Sequence, residues 1–169
     1  KEIDGVNKKN SGVTLLKGIE LDILKDGRLD LKDEALKKLD VVGVSVHSNF
    51  NLPREEQTKR IIRAIENPNV DILFHPTGRE VQQRDPFDVD LEAVIDVAKE
   101  TGTVLEIDSR PERLDLKDEH IRFASKKGCK FSIDSDSHSP KHFEFLRLGI
   151  GQARRGWLEK KDVINTWPL

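Results

Sequence analysis

Short apolar runs separated by helical patterns constrain this chain more than any other feature of its sequence. Thr14–Leu21, Val41–His47, Val70–His75, Thr103–Ile107 and Lys130–Asp134 are brief and rich in β-branched residues. Runs of this kind suit buried strands of a parallel sheet. Between them, Leu91, Val94, Ile95 and Ala98 fall at i, i+3, i+4 and i+7, one face of a helix. Ile61, Ile62 and Ile65 form a similar face after Pro53, a residue that fits a first helical turn. Ile121 and Ala124 mark a third helix, ended by Gly128 in a C-cap position. A fourth is expected after Pro140, carrying Phe143, Leu146 and Leu148. Strands alternating with helices imply an α/β fold of repeated βα units around a parallel sheet. About five units are visible, against about eight in a standard (β/α) barrel. Either the sheet is open, or some strands lie outside the chain.

Composition narrows the function classes. The 169 residues suffice for one domain with a substantial core. The chain contains no methionine and begins at Lys1, so we expect an excised piece of a longer protein. Charged residues make up 36%, above the usual quarter or so, yet 29 basic and 31 acidic side chains leave a net charge of −2. That balance argues against a dedicated nucleic-acid clamp. High charge with few sulfur residues leans toward a thermophilic source. The lone Cys129 excludes an internal disulfide framework and a cysteine-rich zinc module, and reads as a small core residue at a helix-to-strand junction. No run approaches the roughly 18 apolar residues of a membrane span, and the start does not resemble a signal peptide. The expectation is a soluble, cytoplasmic protein without a membrane partner.

The histidines are placed, not scattered. His47 and His75 each close an apolar run, and His138 follows another by a few residues, in Asp136-Ser137-His138. Glu20 occupies the equivalent place on the first run. In parallel α/β sheets the strand C-termini converge on one face, where ligands bind. Singly, a histidine closing a strand is ordinarily a hydrogen-bonded structural residue, a glutamate an ion-pair partner, and an Asp/Ser cluster a turn former. Jointly, Glu20, His47, His75, Asp136 and His138 bring metal-competent side chains to four strand ends. Such groups repel or desolvate one another unless a divalent cation binds them. Mixed His/carboxylate ligation favours Zn²⁺, Mn²⁺ or Fe²⁺ over Ca²⁺ or Mg²⁺. His120 and His142 fall within expected helices and read as surface residues. Arg79, just past a strand end, could face a phosphate or make a surface salt bridge. Arg110 and Arg113 could also reach the site.

These segments resemble motifs of the PHP (polymerase and histidinol phosphatase) superfamily. Gly18–Ile23, Val44–Ser48 and Ile72–Arg79 are similar to its successive metal motifs, and Asp134–His138 to its last. Leu105–Ser109, Arg113–Leu116 and the ending Val163–Leu169 look most like the version carried by bacterial and archaeal family X DNA polymerases. The resemblance implies a distorted (β/α)₇ TIM-like barrel with a trinuclear cluster, usually Mn²⁺ or Zn²⁺, acting on phosphoesters. Glu20 would bridge two metals, His47 and His75 would complete the second, Asp136 would bind the first and His138 the third. The family's opening His-x-His motif does not precede Glu20, so residues 1–169 are expected to be one PHP domain lacking its first βα units. Only the Glu20–His47–His75 metal would keep its full protein set. Asp108 stands where related polymerases typically have Asn.

The resemblance implies metal-dependent hydrolysis of DNA phosphodiesters, a 3′–5′ exonuclease or end-processing activity in repair. The partners would be DNA and polymerase domains in the same parent chain. The alternatives are a histidinol-phosphatase-type phosphomonoesterase and a non-catalytic structural module. A sheet edge left open by absent units would favour self-association.

Overall fold

The computed structural model describes residues 1–10 and 12–168. Ser11 and Leu169, the latter ending the last motif quoted above, lie outside the described residues. Among the described residues, five parallel strands form one sheet: β1 (Gly18–Asp22), β2 (Val41–Ser45), β3 (Ile72–Leu73), β4 (Val104–Asp108) and β5 (Phe131–Asp134). Their spatial order is their chain order, every neighbour parallel. The α-helices are α1 (Glu2–Lys9), α2 (Asp33–Leu36), α3 (Arg54–Ile65), α4 (Leu91–Thr101), α5 (Asp118–Lys127) and α6 (Leu146–Arg155). Because each crossover advances one strand in the same direction, the major helices share one side of the sheet. There α3 packs on α4, α4 on α5 and α5 on α6.

The register divides the sheet into two unlike faces. Leu21, Val42, Val44, Leu73, Leu105, Ile107 and Phe131 fall in one row, all buried against the helices. The other row carries Glu20, Asp22, Gly43, Ser45, Glu106, Asp108, Ser132 and Asp134. This row faces a cleft of about 810 Å³ whose walls include Glu20, His75, Glu106, Asp134 and Asp136. Residues on the cleft row still lose water: Ser45, Glu106, Asp108 and Ser132 are all buried. Gly43 lies within this row, and an added Cβ would sit 1.8 Å from the Phe74 ring. Only glycine leaves room for that ring in the cleft wall.

The helices follow their expected signals, with local departures. Asp90 caps α4, accepting from the Ala93 N–H at 3.1 Å, and Gly102 ends it in the left-handed region. Gly128 ends α5 in the same way. Cys129 is buried between α5 and β5. The first apolar run forms a strand only from Gly18, leaving Leu15 and Leu16 exposed. The third contributes two ladder residues before the chain turns at His75. The fourth expected helix begins as a 3₁₀ turn, Pro140–Phe145, and becomes α-helical only at Leu146. Its tighter winding carries Phe143 into solvent rather than core. Helices α1 and α2 had no counterpart among the expected elements.

Candidate metal centre

Three of the five expected metal-binding side chains meet. Glu20 points from the cleft row of β1, while His47 and His75 each stand two residues beyond the last ladder residue of β2 and β3. Glu20 Oε1 lies 3.0 Å from His75 Nε2 and 3.3 Å from His47 Nε2. The two imidazole centroids are 5.2 Å apart, with ring planes inclined at 50°. One donor atom from each residue falls within 4.8 Å of the other two. Ligands about 2.1 Å from a tetrahedral ion lie about 3.4 Å from one another, so this spacing suits a first-row divalent cation.

Neighbouring groups hold the donors in place. Asp22, two residues after Glu20 on the same face, accepts from His47 Nδ1 at 2.6 Å. An ionised carboxylate can only accept, so Nδ1 carries a proton and Nε2 is directed to the centre. This is the usual way in which a metal-binding histidine is oriented. Arg60, buried on α3, donates to the carbonyls of Ser48 at 3.0 Å and Ile23 at 2.5 Å, tying together the segments that follow His47 and Glu20.

Without a metal, the charge of the centre is set by the pairing of Glu20 with its two imidazoles. Burial opposes ionisation of Glu20, but hydrogen bonds from His47 and His75 outweigh it and hold the carboxyl well below its usual range. The hydrogen bond to Glu20 raises His47 to about 9, against the opposing effect of burial and with support from Asp22. In the middle of the cleft row, burial pushes Glu106 well above the ordinary carboxyl range, reinforced by the charges of Asp108 and Asp134. Burial likewise raises Asp108, to about 7, and raises Asp134.

Asp136 and His138 lie apart from this trio. Asp136 lines the same cleft, but its Oδ2 accepts from Arg110 Nη1 at 3.0 Å and sits 3.9 Å from Arg113 Nε. His138 is 69% exposed, its Nδ1 2.9 Å from the carbonyl of Asp136. Arg110 and Arg113 thus pair with Asp136 on the cleft wall, and Arg113 also lies 3.3 Å from Asp108 Oδ2. Arg79 makes no ion pair with a carboxylate among the described residues. Its guanidinium donates to the carbonyls of Arg113, at 2.9 Å, and Leu114. His120 is half-buried rather than superficial, and burial pushes it below the usual imidazole range. His142 stacks on Phe145 at 5.0 Å and accepts the His138 N–H.

Asp22, Glu106 and Asp134 were missed by the sequence reading, and Asp108 was noted without a role. A signal for all four exists. Glu20 with Asp22, Glu106 with Asp108, and Ser132 with Asp134 alternate with apolar residues, the period-2 mark of a strand with one polar face.

No family model matches the chain. Over its whole length it is 41% identical to the DNA polymerase/3'-5' exonuclease PolX of Bacillus subtilis, of which it spans 30%. It is 38% identical, over 94% of its length, to a "Probable phosphatase" of Thermoanaerobacter sp., spanning 66% of that protein. A "Probable phosphatase" of Acetivibrio thermocellus is 34% identical over 92% of the chain, which spans 65% of it. Among the described residues no helix is long and apolar enough to cross a membrane. The chain is homologous to a region of a DNA polymerase/3'-5' exonuclease and to the larger part of bacterial proteins named as phosphatases.

Proposed function

We propose that the chain is the later portion of a PHP domain whose Glu20, His47 and His75 hold a divalent metal, Mn²⁺ or Zn²⁺, for phosphoester hydrolysis. The observation that carries this is the convergence of those three donors, Glu20 from within β1 and the two histidines from just beyond the ends of β2 and β3. When bound, the metal supplies Lewis-acid stabilisation of a phosphoryl oxygen and activates water. The chain's own residues prepare for that. Asp22 keeps a proton on His47 Nδ1, so that Nε2 is the atom offered to the ion. Glu20, ionised between two imidazoles, supplies the compensating negative charge.

Asp136 and His138 contribute to the further two metals of a trinuclear cluster, completed by residues outside this chain. The sequential order of the five strands and the polar cleft row support a (β/α)₇ TIM-like barrel, of which residues 1–169 form one part. The edge position of β1 supports self-association of the isolated chain.

The substrate reading follows from the relatives. The exonuclease named in Bacillus subtilis supports DNA phosphodiesters as substrate and polymerase domains in the same cytoplasmic parent protein. The near-neutral charge leaves much of the DNA affinity to those other domains. The phosphatase relatives favour a second reading, hydrolysis of a small phosphomonoester. Assay of the parent protein with Mn²⁺ on single-stranded DNA and on a phosphomonoester separates the two. Nucleotide release from the 3′ end is expected to dominate. Turnover of the monoester alone would favour the second reading, and turnover of neither would overturn both.

A further inference from the structure

His75 owes its position to a turn whose backbone donors have unusual partners. The four residues His75-Pro76-Thr77-Gly78 are all buried, and a buried backbone N–H must be satisfied. Pro76 has no N–H. The His75 N–H donates to Glu106 Oε2 at 2.6 Å, and the Thr77 N–H donates to Asp115 Oδ2 at 2.9 Å. The Gly78 N–H closes the turn on the His75 carbonyl at 2.9 Å. Both side-chain acceptors are buried carboxyl groups, one on β4 and one on the segment that follows it.

The turn needs such a grip because of its shape. His75 has φ of +28°, a region in which a β-carbon is crowded and which non-glycine residues seldom adopt. Gly78 has φ of +61°, and an added Cβ there would meet the Phe87 ring at 2.4 Å. From the opposite side, Arg79 donates to the carbonyls of Arg113 and Leu114, the two residues before Asp115. Donors of the turn and of Arg79 just after it therefore meet acceptors of the 106–115 segment in four hydrogen bonds. Nothing in that exchange contacts the Glu20 carboxylate, yet its result is a His75 Nε2 placed 3.0 Å from it.

We infer that Glu106 is the positioning residue for His75, with Asp115 and Arg79 fastening the rest of the turn. Glu106 fixes the imidazole through the backbone rather than through the ring. This inference rests on the metal reading above for its functional consequence, though not for its geometry.

The test compares Glu106→Gln, which keeps an oxygen for the His75 N–H, with Glu106→Leu, which does not. Mn²⁺ affinity of the protein, measured by calorimetry, is expected to fall about 10- to 100-fold in the leucine variant, the usual effect of losing an outer partner of a metal ligand. The glutamine variant should stay within about threefold of wild type. In the wild-type protein, hydrogen exchange of the His75 amide should be among the slowest outside the strands and helices. That readout holds even if the leucine variant does not fold. Unchanged Mn²⁺ affinity in a folded leucine variant, or a rapidly exchanging His75 amide, would overturn the inference. Absence of Mn²⁺ and Zn²⁺ binding by wild type, with a protected amide, would overturn the metal reading and leave the clamp standing.

Discussion

The two ends of the cleft are built from the same materials and arrive at different states. At the β1–β3 side, the Glu20 carboxylate within β1 is shared by the imidazoles just past β2 and β3, with Asp22 behind His47. Strands β4 and β5 end in Asp108 and Asp136, which face the guanidinium groups of Arg110 and Arg113. At the first end the cation partners are titratable, and can give up protons to a metal. At the second the counter-charge is permanent, because arginine does not deprotonate in proteins. Strand-end convergence therefore gathers charge at both ends, but only the partner type decides whether an ion can enter without displacing one already there. A metal at Asp136 must compete with Arg110, and one at Glu20 competes only with protons.

The largest break in this comparison should come from Glu20→Gln. It removes the negative charge at the first end and is expected to lower Mn²⁺ or Zn²⁺ affinity by more than about 100-fold in a calorimetric titration. Asp22→Asn should follow, at about 10- to 100-fold, since it loosens the His47 ring without removing a donor. A metal-affinity series on Asp22→Ala beside it would show whether the residual effect is charge or orientation.

The pH dependence sharpens the same contrast. His47 rises from 6.5 to about 9, so metal must displace its proton at neutral pH. Affinity is expected to climb by up to about tenfold per pH unit across that window and to level off above it. Stability of the metal-free protein runs the other way. The His47 contribution is full below the ordinary imidazole value and is lost as pH rises through about 9. In Glu20→Gln, NMR titration of His47 should move back toward 6.5; a titration that stays near 9 would assign the shift to Asp22 instead. The smallest effect is expected from Arg110→Ala. The pair with Asp136 is partly exposed, so its loss should cost under about 1 kcal/mol in denaturant unfolding and leave metal affinity at the first end within about twofold.

How much of this was legible in the sequence depended on where a residue stood in its strand. The apolar row, Val42, Val44, Leu105 and Ile107 among it, announced the strands because apolar residues dominate each run. Glu20, His47 and His75 were legible because they close those runs. Asp22, Glu106 and Asp134 were hidden by reading the runs as buried on both faces against apolar neighbours. One face instead lines a polar cleft, where buried carboxyl groups find backbone donors, arginines or one another. The partners of Arg79 were hidden for a different reason: the carbonyls of Arg113 and Leu114 that hold it are 34 and 35 residues away, beyond any local pattern. Phe143 fitted helical spacing with Leu146, but Pro140 opens a 3₁₀ turn, whose different period turns it outward. Asp136 and His138 were visible as a motif, and Arg110 and Arg113 as residues within reach, but not the pairing of those arginines with Asp136.

The central claim is that Glu20, His47 and His75 form a metal-binding centre before any metal arrives. Metal content of the purified protein after equilibration with Mn²⁺ or Zn²⁺ and removal of free ion tests it most directly, with His47→Ala/His75→Ala as the control. We predict about one ion retained per chain, and none at that centre in the double variant. Retention of the same amount by both proteins, or by neither, would contradict the claim.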